Sequence, residues 1–370
     1  MQILITGAEG FIGKNLKFRL QELDNYNIKT FSRKDNADSL SSLIADVDII
    51  FHLAGVNRSK DPQDFISGNC ELTSEIIANI KRIGRSIPIV LTSSTQALMD
   101  NIYGRSKLAA EKMLKAFNQE SGNPIFIYRL SNVFGKWAKP NYNSVVATFC
   151  NNIANSLPIQ IHDRTAKLKL VYIDDVIDSF IDLINTIYSQ NQQYIEVPLF
   201  YNTTVGEIAD IINSFPEIQK SDITERVGHG LVRALYSTYL SYLPKNKFSY
   251  SLIKHEDQRG SFVEMLKTKD SGQFSYFTAH PGVTRGGHYH HTKTEKFLVI
   301  KGTALYRFRH IVTKEYFELK VNGSDPTIVE TIPGWSHDII NIGTEELVVM
   351  LWANEIFDNQ HPDTVPFKVN

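Results

Sequence analysis

The sequence of 370 residues predicts two domains, a doubly wound α/β domain followed by an all-β jelly-roll barrel. In the first part, strands and amphipathic helices alternate, and the opening strand at residues 2–6 leads directly into a glycine-rich segment. From about Phe248 this pattern gives way to short alternating strands broken by Gly and Pro. We therefore predict domains at residues 1–245 and 246–370.

The individual elements follow from the spacing of apolar residues. Helices are expected where apolar residues recur every three or four positions, and strands where short apolar runs suit a parallel sheet buried on both faces. The predicted helices are residues 12–23, 69–83 and 107–118. The predicted strands of the first domain are residues 2–6, 28–31, 47–53, 87–92 and 125–130. The predicted barrel strands include residues 262–266, 295–300, 303–310 and 347–352.

Composition and charge exclude several classes of function. The formal net charge is -1, and no run of Lys or Arg is long enough to bind nucleic acid or an anionic membrane surface. Cys70 and Cys150 are too few for a disulfide framework, and a strand that begins at Gln2 leaves no room for a signal peptide. No apolar run is long enough to span a bilayer. We expect a cytoplasmic protein without a membrane segment or a nucleic-acid partner.

The glycine-rich segment after the first strand predicts a dinucleotide site. Residues 6–13, Thr-Gly-Ala-Glu-Gly-Phe-Ile-Gly, lie between a strand and a helix, where glycines let a pyrophosphate approach the helix N-terminus. A glycine-rich turn without a ligand is the alternative. After the second strand, Ser32, Arg33 and Lys34 replace the carboxylate of a site that prefers NAD, and such cations favour the 2′-phosphate of NADP. The residues predicted to bind NADPH are Gly7, Gly10, Phe11, Ile12, Gly13, Ser32, Arg33 and Lys34.

Tyr103 and Lys107 lie one helical turn apart and are candidate catalytic residues. A surface pair without function is the simpler explanation of this spacing. In a reductase, Lys107 stabilises tyrosinate and lowers the pKa of Tyr103, so that the phenol exchanges a proton with a carbonyl during hydride transfer. Ser94, at the end of a predicted strand, is the candidate for a hydrogen bond to the same carbonyl. The alternatives to Ser94 are Thr92, Ser93 and Thr95.

These motifs resemble the extended short-chain dehydrogenase/reductase family that acts on nucleotide sugars. Three further segments match motifs of that family in the expected order: His52-Leu-Ala-Gly55, Arg129-Leu-Ser-Asn-Val-Phe-Gly135 and Val171-Tyr-Ile-Asp-Asp175. By this resemblance the other cofactor-binding residues are Leu53, Ala54, Gly55, Tyr103 and Lys107, and Asn132 binds substrate. The chain departs from the family in one respect: Tyr103 follows Ser94 by only nine positions, a shorter separation than the family usually has.

Residues 282–302 predict a metal site in the barrel. They read Gly-x5-His288-x-His290-x4-Glu295-x6-Gly, a spacing typical of metal-binding cupins. On a strand both imidazoles point to one face, Glu295 enters from the next strand, and His337 is a fourth ligand candidate. Solvated histidines at a barrel mouth are the alternative. Three imidazoles and one carboxylate suit Zn, Mn, Fe or Ni, and a closed shell of four favours a structural ion, so we expect a divalent metal, with zinc preferred.

The barrel also resembles the cupin sugar epimerases that act on nucleotide-linked 4-keto-6-deoxysugars. The similar segments are residues 257–264, 282–289 and 333–337. By this resemblance Arg259 and Arg285 hold the substrate diphosphate, and His288 is the base that removes the proton next to the ketone.

A metal-bound His288 conflicts with a role as base. The cupin epimerase family works without metal, and a ligated imidazole has no free lone pair to accept a proton. In one solution His288 stays free and the other three candidates, His290, Glu295 and His337, hold the metal. In the other, Tyr289 or Tyr306 moves the proton. We favour the first.

A reductase-like half followed by an epimerase-like cupin resembles the bifunctional enzymes of capsular polysaccharide synthesis. This resemblance implies a UDP-linked 2-acetamido-2,6-dideoxy-4-ketohexose, which the cupin epimerises at C3 and the reductase domain reduces at C4 with NADPH. The implied product is UDP-2-acetamido-2,6-dideoxy-L-talose. One carbonyl serves both steps, because it acidifies the C3 hydrogen and is then reduced.

Two other hypotheses fit parts of the sequence. The first is an NAD(P)-dependent nucleotide-sugar epimerase or dehydratase that recycles its cofactor and has a purely structural cupin. The second is a sensor or scaffold that binds NADPH without turnover, although such a protein has no need for Tyr103 and Lys107 together. Cupins often pair through their sheets, so the resemblance also implies a homodimer.

Overall fold

The computed structural model divides the chain into two compact units. The described residues are 1–187, 189 and 192–370. The first unit comprises Met1–Ile212 and Arg233–Pro244, and the second comprises Asn213–Val232 and Lys245–Asn370. The segment 213–232 precedes the predicted division after residue 245 and groups with the second unit. None of the helices in the described ranges has the length and apolar character that a bilayer crossing requires.

Strands and helices alternate along the first unit. Its strands are β1 (Gln2–Thr6), β2 (Asn27–Phe31), β3 (Ile49–His52), β4 (Ile89–Ser94), β5 (Ile125–Leu130), β6 (Asn132–Phe134), β7 (Lys167–Tyr172), β8 (Tyr194–Ile195) and β9 (Tyr201–Thr204). The helices are α1 (Phe11–Gln21), α2 (Ala37–Ala45), α3 (Pro62–Ile66), α4 (Leu72–Ile83), α5 (Ile102–Ser121), α6 (Val145–Ala154), α7 (Ile173–Thr186), α8 (Val205–Ser221) and α9 (Gly230–Leu240). A π-helical segment, Ser67–Glu71, precedes α4, and α8 continues into the second unit.

A parallel sheet with the order β2-β1-β3-β4-β5-β8 forms the centre of the first unit. Along β1, Ile3 and Ile5 pack into one apolar cluster and Leu4 into another, so both faces of the sheet are covered. All three are fully buried, and each contributes roughly 2 kcal/mol by leaving water. The arrangement confirms the doubly wound, Rossmann-type prediction.

The sheet order fixes where a ligand binds in the first unit. β2 lies on one side of β1, and β3 lies on the other side. The order of strands therefore reverses at β1, which makes its carboxyl end a topological switch point. Ligands of open α/β sheets bind in the crevice at such points. A separate three-stranded sheet, β6-β7-β9, was not predicted from the sequence.

The second unit contains two β-sheets. Its strands are β10 (Ile223–Thr224), β11 (Lys254–Asp257), β12 (Gly260–Thr268), β13 (Gly272–Ala279), β14 (Thr284–Tyr289), β15 (Glu295–Lys301), β16 (Thr303–His310), β17 (Tyr316–Asn322), β18 (Ile328–Glu330), β19 (Trp335–Asn341), β20 (Leu347–Ala353) and β21 (Val365–Pro366). One sheet has the order β10-β12-β13-β20-β15-β18, with β11 paired to β12, and the other has the order β17-β16-β19-β14-β21. Phe277, Phe297, Tyr306 and Phe308 belong to their common apolar core. This arrangement confirms the predicted jelly-roll.

Candidate active site and metal centre

A cavity of about 640 Å³ occupies the switch point of the first unit. It is bordered by the glycine loop after β1, the ends of β3 and β4, and the first turns of α5. The predicted site residues that line it are Gly7, Gly10, Phe11, Ile12, Gly13, Leu53, Gly55, Ser94, Tyr103, Lys107 and Asn132. The predicted residues that lie outside this lining are Ala54, Ser32, Arg33 and Lys34. The cavity therefore brings together the glycine loop and the Tyr-Lys pair.

Two glycines of the loop have no room for a side chain. Gly7 has φ +72°, and a Cβ there would lie 2.7 Å from the backbone of Ala54. A Cβ on Gly13 would lie 2.2 Å from the carbonyl oxygen of Gly7. The loop thus folds back on the first turn of α1 and presents the N-terminus of that helix to the cavity, where a diphosphate is favoured.

Lys107 is buried beneath the cavity. Its Nζ donates a hydrogen bond to the carbonyl oxygen of Thr92 at 3.1 Å. A Cβ on Gly55 would lie 2.9 Å from the same Nζ, so only glycine fits there without displacing the ammonium group. Burial lowers the pKa of Lys107 to about 8, against smaller opposing effects of Cys70 and Glu111.

Tyr103 lies in the first turn of α5, which Asn101 caps by accepting a hydrogen bond from the amide of Gly104 at 2.7 Å. The phenol of Tyr103 donates to Oδ1 of Asn57 at 3.3 Å. Burial raises the pKa of Tyr103, with the nearby Ser94 opposing that rise, so the lowered pKa that the spacing with Lys107 predicted is not found here. The phenol is therefore protonated at neutral pH and able to donate a proton.

Ser94 is better placed for substrate than Ser93. The hydroxyl of Ser93 is buried and donates to the carboxylate of Glu111. Ser94 contributes its oxygen to the cavity wall, where it also accepts a hydrogen bond from the amide of Gln96 at 3.2 Å. Thr92, Ser93 and Thr95 border the same cavity. Ser94 is also the hydroxyl that lowers the pKa of Tyr103 against the effect of burial, which supports the prediction of Ser94.

Asn69 is a site residue that sequence reasoning missed. It is buried in the π-helical segment, and its Oδ1 accepts from the amide of Val56 at 3.0 Å. Its Nδ2 donates to the carbonyl of Val56 at 3.1 Å and to Oγ of Ser106 at 3.0 Å. A Cβ on Gly55 would lie 2.7 Å from Oδ1, so Asn69 and Lys107 flank the same glycine. An isolated asparagine in a helical stretch carries no signal in the sequence.

The segment after β2 keeps its two cations free. The amide and hydroxyl of Ser32 donate to Oδ2 of Asp35 at 2.7 and 2.9 Å. Sequence reasoning did not consider this carboxylate, which is held within its own turn. Arg33 and Lys34 are exposed, and neither forms an ion pair with another described residue. Both side chains are available to an anion.

Four predicted ligands come together in the second unit. One donor atom from each of His288, His290, Glu295 and His337 lies within 4.8 Å of the others. Nε2 of His290 is 3.3 Å and Nε2 of His337 is 3.4 Å from Oε2 of Glu295. These three residues are buried, whereas His288 is half-buried at the side of the cavity. His288 therefore differs from the other three in its exposure, not in its distance from them.

The strand positions predicted for His290 and Glu295 have different outcomes. β14 ends at Tyr289, so the expectation that His288 and His290 lie on one strand is wrong for His290. The chain leaves the strand there because the carbonyl of His290 accepts a hydrogen bond from the amide of Gly334, at 3.0 Å, in the turn before β19. Glu295 begins β15 as predicted. The ligand group therefore draws on both sheets of the barrel.

A β-bulge directs His288 into the site. The register between β14 and β19 shifts between Gly286 and His288, which brings His288 opposite His337. Gly286 has φ +98°, and a Cβ there would lie 2.8 Å from the carbonyl oxygen of His337. Without the bulge the alternation of the strand would turn the His288 side chain to the other face.

Charge in the ligand group favours an anionic Glu295 and a neutral His288. Burial alone would raise the pKa of Glu295, but the nearby imidazoles of His290 and His337 and the Lys293 ammonium lower it overall. Nζ of Lys293 is 3.0 Å from Oε1 of Glu295, which leaves Oε2 facing the imidazoles. Burial, followed by the neighbouring imidazoles, lowers the pKa of His288 to about 4. Lys293 was not predicted from the sequence.

The ligand group fits a divalent metal. Both ring nitrogens of His337 are buried, and neither has a hydrogen-bond partner in the part of the chain that the structure describes. Nε2 lies within ion-pair distance of Glu295 but outside hydrogen-bond geometry. An orphaned buried nitrogen is costly unless it binds something, and imidazole with carboxylate suits zinc and its neighbours.

The ligand group forms part of the wall of a second cavity, of about 440 Å³, in the barrel. Arg259 and Arg285, both predicted to bind substrate, also border it. Arg285 donates from Nε to the carbonyl of Thr278 at 2.9 Å, and burial lowers the pKa of its guanidinium group. Arg259 is paired with Asp257 at 2.6 Å. The cavity thus combines a histidine with two guanidinium groups.

Tyr306 and Tyr289 differ in their access to this cavity. Tyr306 lines it, and its buried hydroxyl has no hydrogen-bond partner among the described residues. Burial raises the pKa of Tyr306. Tyr289 is outside the lining and packs its ring against His291 and Phe367. Of the two tyrosines left open by the sequence, the structure therefore favours Tyr306.

The fold and its two sites define a dinucleotide-dependent enzyme of the reductase and epimerase type, joined to a cupin with a potential metal centre. Residues 3–195 match the model of the NAD dependent epimerase/dehydratase family, and residues 255–365 match that of the polysaccharide biosynthesis C-terminal domain. The chain belongs to the NAD dependent epimerase/dehydratase family.

Similar proteins match either the whole chain or part of it. UDP-2-acetamido-2,6-beta-L-arabino-hexul-4-ose reductase of Pseudomonas aeruginosa is 54% identical over 364 residues, with 98% of each chain covered. The crystal structure of the capsular polysaccharide assembling protein CapF from Staphylococcus aureus is similar over 100% of both chains, with a TM-score of 0.93 and 41% identity. Thermus thermophilus UDP-glucose 4-epimerase matches 65% of this chain and 99% of its own, with a TM-score of 0.54 and 16% identity, which shows a shared fold alone.

Proposed function

We propose that the protein is a bifunctional nucleotide-sugar enzyme of capsular polysaccharide synthesis. Its cupin domain epimerises a UDP-2-acetamido-2,6-dideoxy-4-ketohexose at C3, and its first domain reduces the C4 ketone with NADPH to the 6-deoxy-L-talose product. The observation that carries this proposal is the presence, in one chain, of a Tyr-Lys pair beside a glycine loop and of a histidine beside two guanidinium groups. The 54% identity to a hexul-4-ose reductase supports the substrate class.

In the reductive step, Tyr103 is the proton donor. A bound reduced nicotinamide supplies a hydride to C4 of the sugar. Tyr103 gives its hydroxyl proton to the ketone oxygen, and the positive charge of Lys107 stabilises the tyrosinate that remains. Ser94 donates a hydrogen bond to the same oxygen and stabilises the charge that develops there. Asn132, on the cavity wall, contacts the substrate.

The preference for NADPH rests on the segment after β2. Arg33 and Lys34 are exposed and free of ion pairs with described residues, while the nearby Asp35 carboxylate is occupied by Ser32. Two free cations attract the 2′-phosphate, and a carboxylate already accepting two hydrogen bonds is a poor partner for a ribose 2′-hydroxyl.

In the epimerising step, His288 is the base. It removes the C3 proton, and the electron pair of the C–H bond moves into an enolate whose charge lies on the C4 oxygen. Burial lowers its pKa, so the imidazole is neutral at physiological pH and has a lone pair to accept the proton. Arg259 and Arg285 hold the diphosphate. His290, Glu295 and His337 hold the metal, for which we propose zinc with a structural role.

The proposal extends to the organisation of the chain. We assign the reductase to residues 1–245 and the epimerase to residues 246–370, and we propose that the protein forms a homodimer through its cupin sheets.

A single experiment tests the proposed activities: incubation with a UDP-linked 4-keto-6-deoxy amino sugar in deuterated water, with and without NADPH, followed by NMR.

Both activities have a distinct signature in that experiment. Deuterium at C3 without NADPH indicates the epimerising step, and one NADPH consumed per product molecule indicates the reducing step. Cofactor that is recycled without net consumption would support an epimerase or dehydratase with a purely structural cupin. A protein that leaves the ketosugar unlabelled and NADPH unoxidised would refute the proposal.

A further inference from the structure

Asp363 contacts the ligand group from a distant part of the chain. Its carboxylate accepts hydrogen bonds from the amides of three consecutive residues, His291 at 2.9 Å, Thr292 at 2.7 Å and Lys293 at 2.8 Å. The hydroxyl of Thr292 adds a fourth, at 3.0 Å. These three residues form the turn that connects His290 to Glu295, so one carboxylate organises the loop between two ligand candidates.

The backbone of Asp363 acts on His290 itself. Its carbonyl oxygen lies within hydrogen-bond distance of Nδ1 of His290. A carbonyl can only accept, so Nδ1 carries the proton, and Nε2 is the nitrogen whose lone pair is available to a bound metal. Nε2 is the nitrogen that faces Glu295, at 3.3 Å. Asp363 thereby selects the tautomer that can bind a metal at Nε2.

The segment that follows Asp363 is fixed to the neighbouring ligand strand. β21 pairs with β14, with Pro366 opposite His288 and Val365 opposite Tyr289. The amide of Phe367 donates to the carbonyl of Gly287 at 2.9 Å. This pairing holds Asp363 in register with the ligands, so its position does not depend on the carboxylate contacts alone.

We infer that Asp363 is a positioning residue for the metal centre: its carboxylate folds the loop between His290 and Glu295, while its backbone carbonyl, which side-chain variants retain, faces Nδ1 of His290. This inference rests on the proposed metal site and adds a residue that neither the ligand spacing nor the comparisons assign. Hydrogen-bonding partners behind a metal ligand typically alter affinity by 10- to 100-fold when removed.

The test compares Asp363→Ala with Asp358→Ala in the full-length protein. Asp358 is an exposed aspartate of the same segment, and its hydrogen bonds to the amide of Gln360 and to His361 stay within that segment. Each protein is stripped of metal and titrated with Zn²⁺ against a chromophoric chelator, and with Co²⁺ while its visible absorption is recorded. We expect affinity to fall 10- to 100-fold and the Co²⁺ bands to change in Asp363→Ala, with Asp358→Ala unchanged.

Asp363→Asn guards against a folding defect in the alanine variant. The amide retains one oxygen acceptor, so we expect a metal affinity between those of the wild type and Asp363→Ala, with a normal melting temperature for the metal-free protein. Equal affinity and identical Co²⁺ spectra in wild type and both Asp363 variants would overturn the inference but leave the metal site intact. A wild-type protein that binds neither ion would overturn the metal site and this inference together.

Discussion

Lys107 and Thr92 are joined by a buried hydrogen bond of 3.1 Å from the ammonium group to the carbonyl oxygen. This bond holds the Lys107 cation beside β4, in the cavity that Tyr103 also lines. Burial disfavours the charged form of Lys107 and lowers its pKa to about 8.

Reduction should therefore weaken in mild alkali. Because Lys107 stabilises tyrosinate only when protonated, we expect kcat/KM for ketone reduction to fall as pH rises through about 8. A pH profile of NADPH oxidation measures this, and a rate that is unchanged up to pH 10 would contradict it.

The effect of Lys107 on the stability of the protein has the opposite sign. Between pH 8 and 10.5 the unfolded state binds more protons at Lys107 than the folded state, so its contribution to stability rises with pH.

Tyr103→Phe should separate the two activities. Removing the phenolic proton donor should lower the rate of NADPH-dependent reduction by about 100-fold or more, while deuterium still enters the substrate at C3. Stopped-time assays of NADPH oxidation and NMR of the sugar measure the two steps. Tyr26→Phe, at a half-buried tyrosine of the apolar core, is the matched control. Loss of both activities in Tyr103→Phe would show that the two sites do not work separately.

His288→Asn should have the reverse effect. We expect C3 exchange to fall by about 100-fold or more, while reduction of a ketosugar that already has the product configuration at C3 persists. Unchanged deuterium incorporation would rule out His288 as the base. Tyr306→Phe then tests the alternative: a loss of exchange confined to this variant would assign the proton to the buried Tyr306 phenol.

Arg33→Ala combined with Lys34→Ala should change cofactor preference. Losing two charge-assisted contacts to a 2′-phosphate should raise the KM for NADPH roughly 10- to 100-fold and leave the KM for NADH nearly unchanged. Steady-state kinetics with both cofactors measure the ratio. A double variant of the exposed cations Lys81 and Arg82 on α4 controls for net charge. Parallel changes in both KM values would defeat the assignment to the 2′-phosphate.

Metal removal should destabilise the barrel. An ion that binds only the folded site contributes to the free energy of unfolding, so chelation should lower the melting temperature of the cupin transition by several degrees. Calorimetry before and after chelation, with metal content measured on the same samples, tests this. Re-addition of Zn²⁺ should restore the transition. An unchanged transition after verified metal loss would remove the structural role.

Elements buried on both faces were the most predictable from sequence. β1 and β5 have the predicted bounds, because continuous apolar runs between turn residues leave little choice. α5 begins five residues before the predicted start at residue 107, since its cap at Asn101 lies outside the apolar pattern. The sheet β6-β7-β9 was missed because β6 and β9 have only three and four residues, and β7, although it alternates, has no long strand nearby in the sequence to pair with.

The ligands and the catalytic pair were predictable because their spacing follows from strand and helix geometry. Asn69 and Asp363 were not, since their roles arise from contacts between separate segments of the chain, and Lys293 was not, since a lysine two positions before Glu295 has no distinctive spacing. Asp363 reaches a loop some seventy positions earlier, and no local pattern records that pairing. Asp35 lies near the predicted cations, but only the structure shows that its carboxylate is occupied.

The bulge at Gly286 limits which residues can change in the sequences of related barrels. His288, His290, Glu295 and His337 all have negative φ, so their backbone conformations are open to other side chains. Gly286 has no such freedom, because any side chain there meets the backbone of β19 and requires an unfavourable φ. In related barrels that have lost the metal ligands, we therefore expect the glycine to be retained at this position.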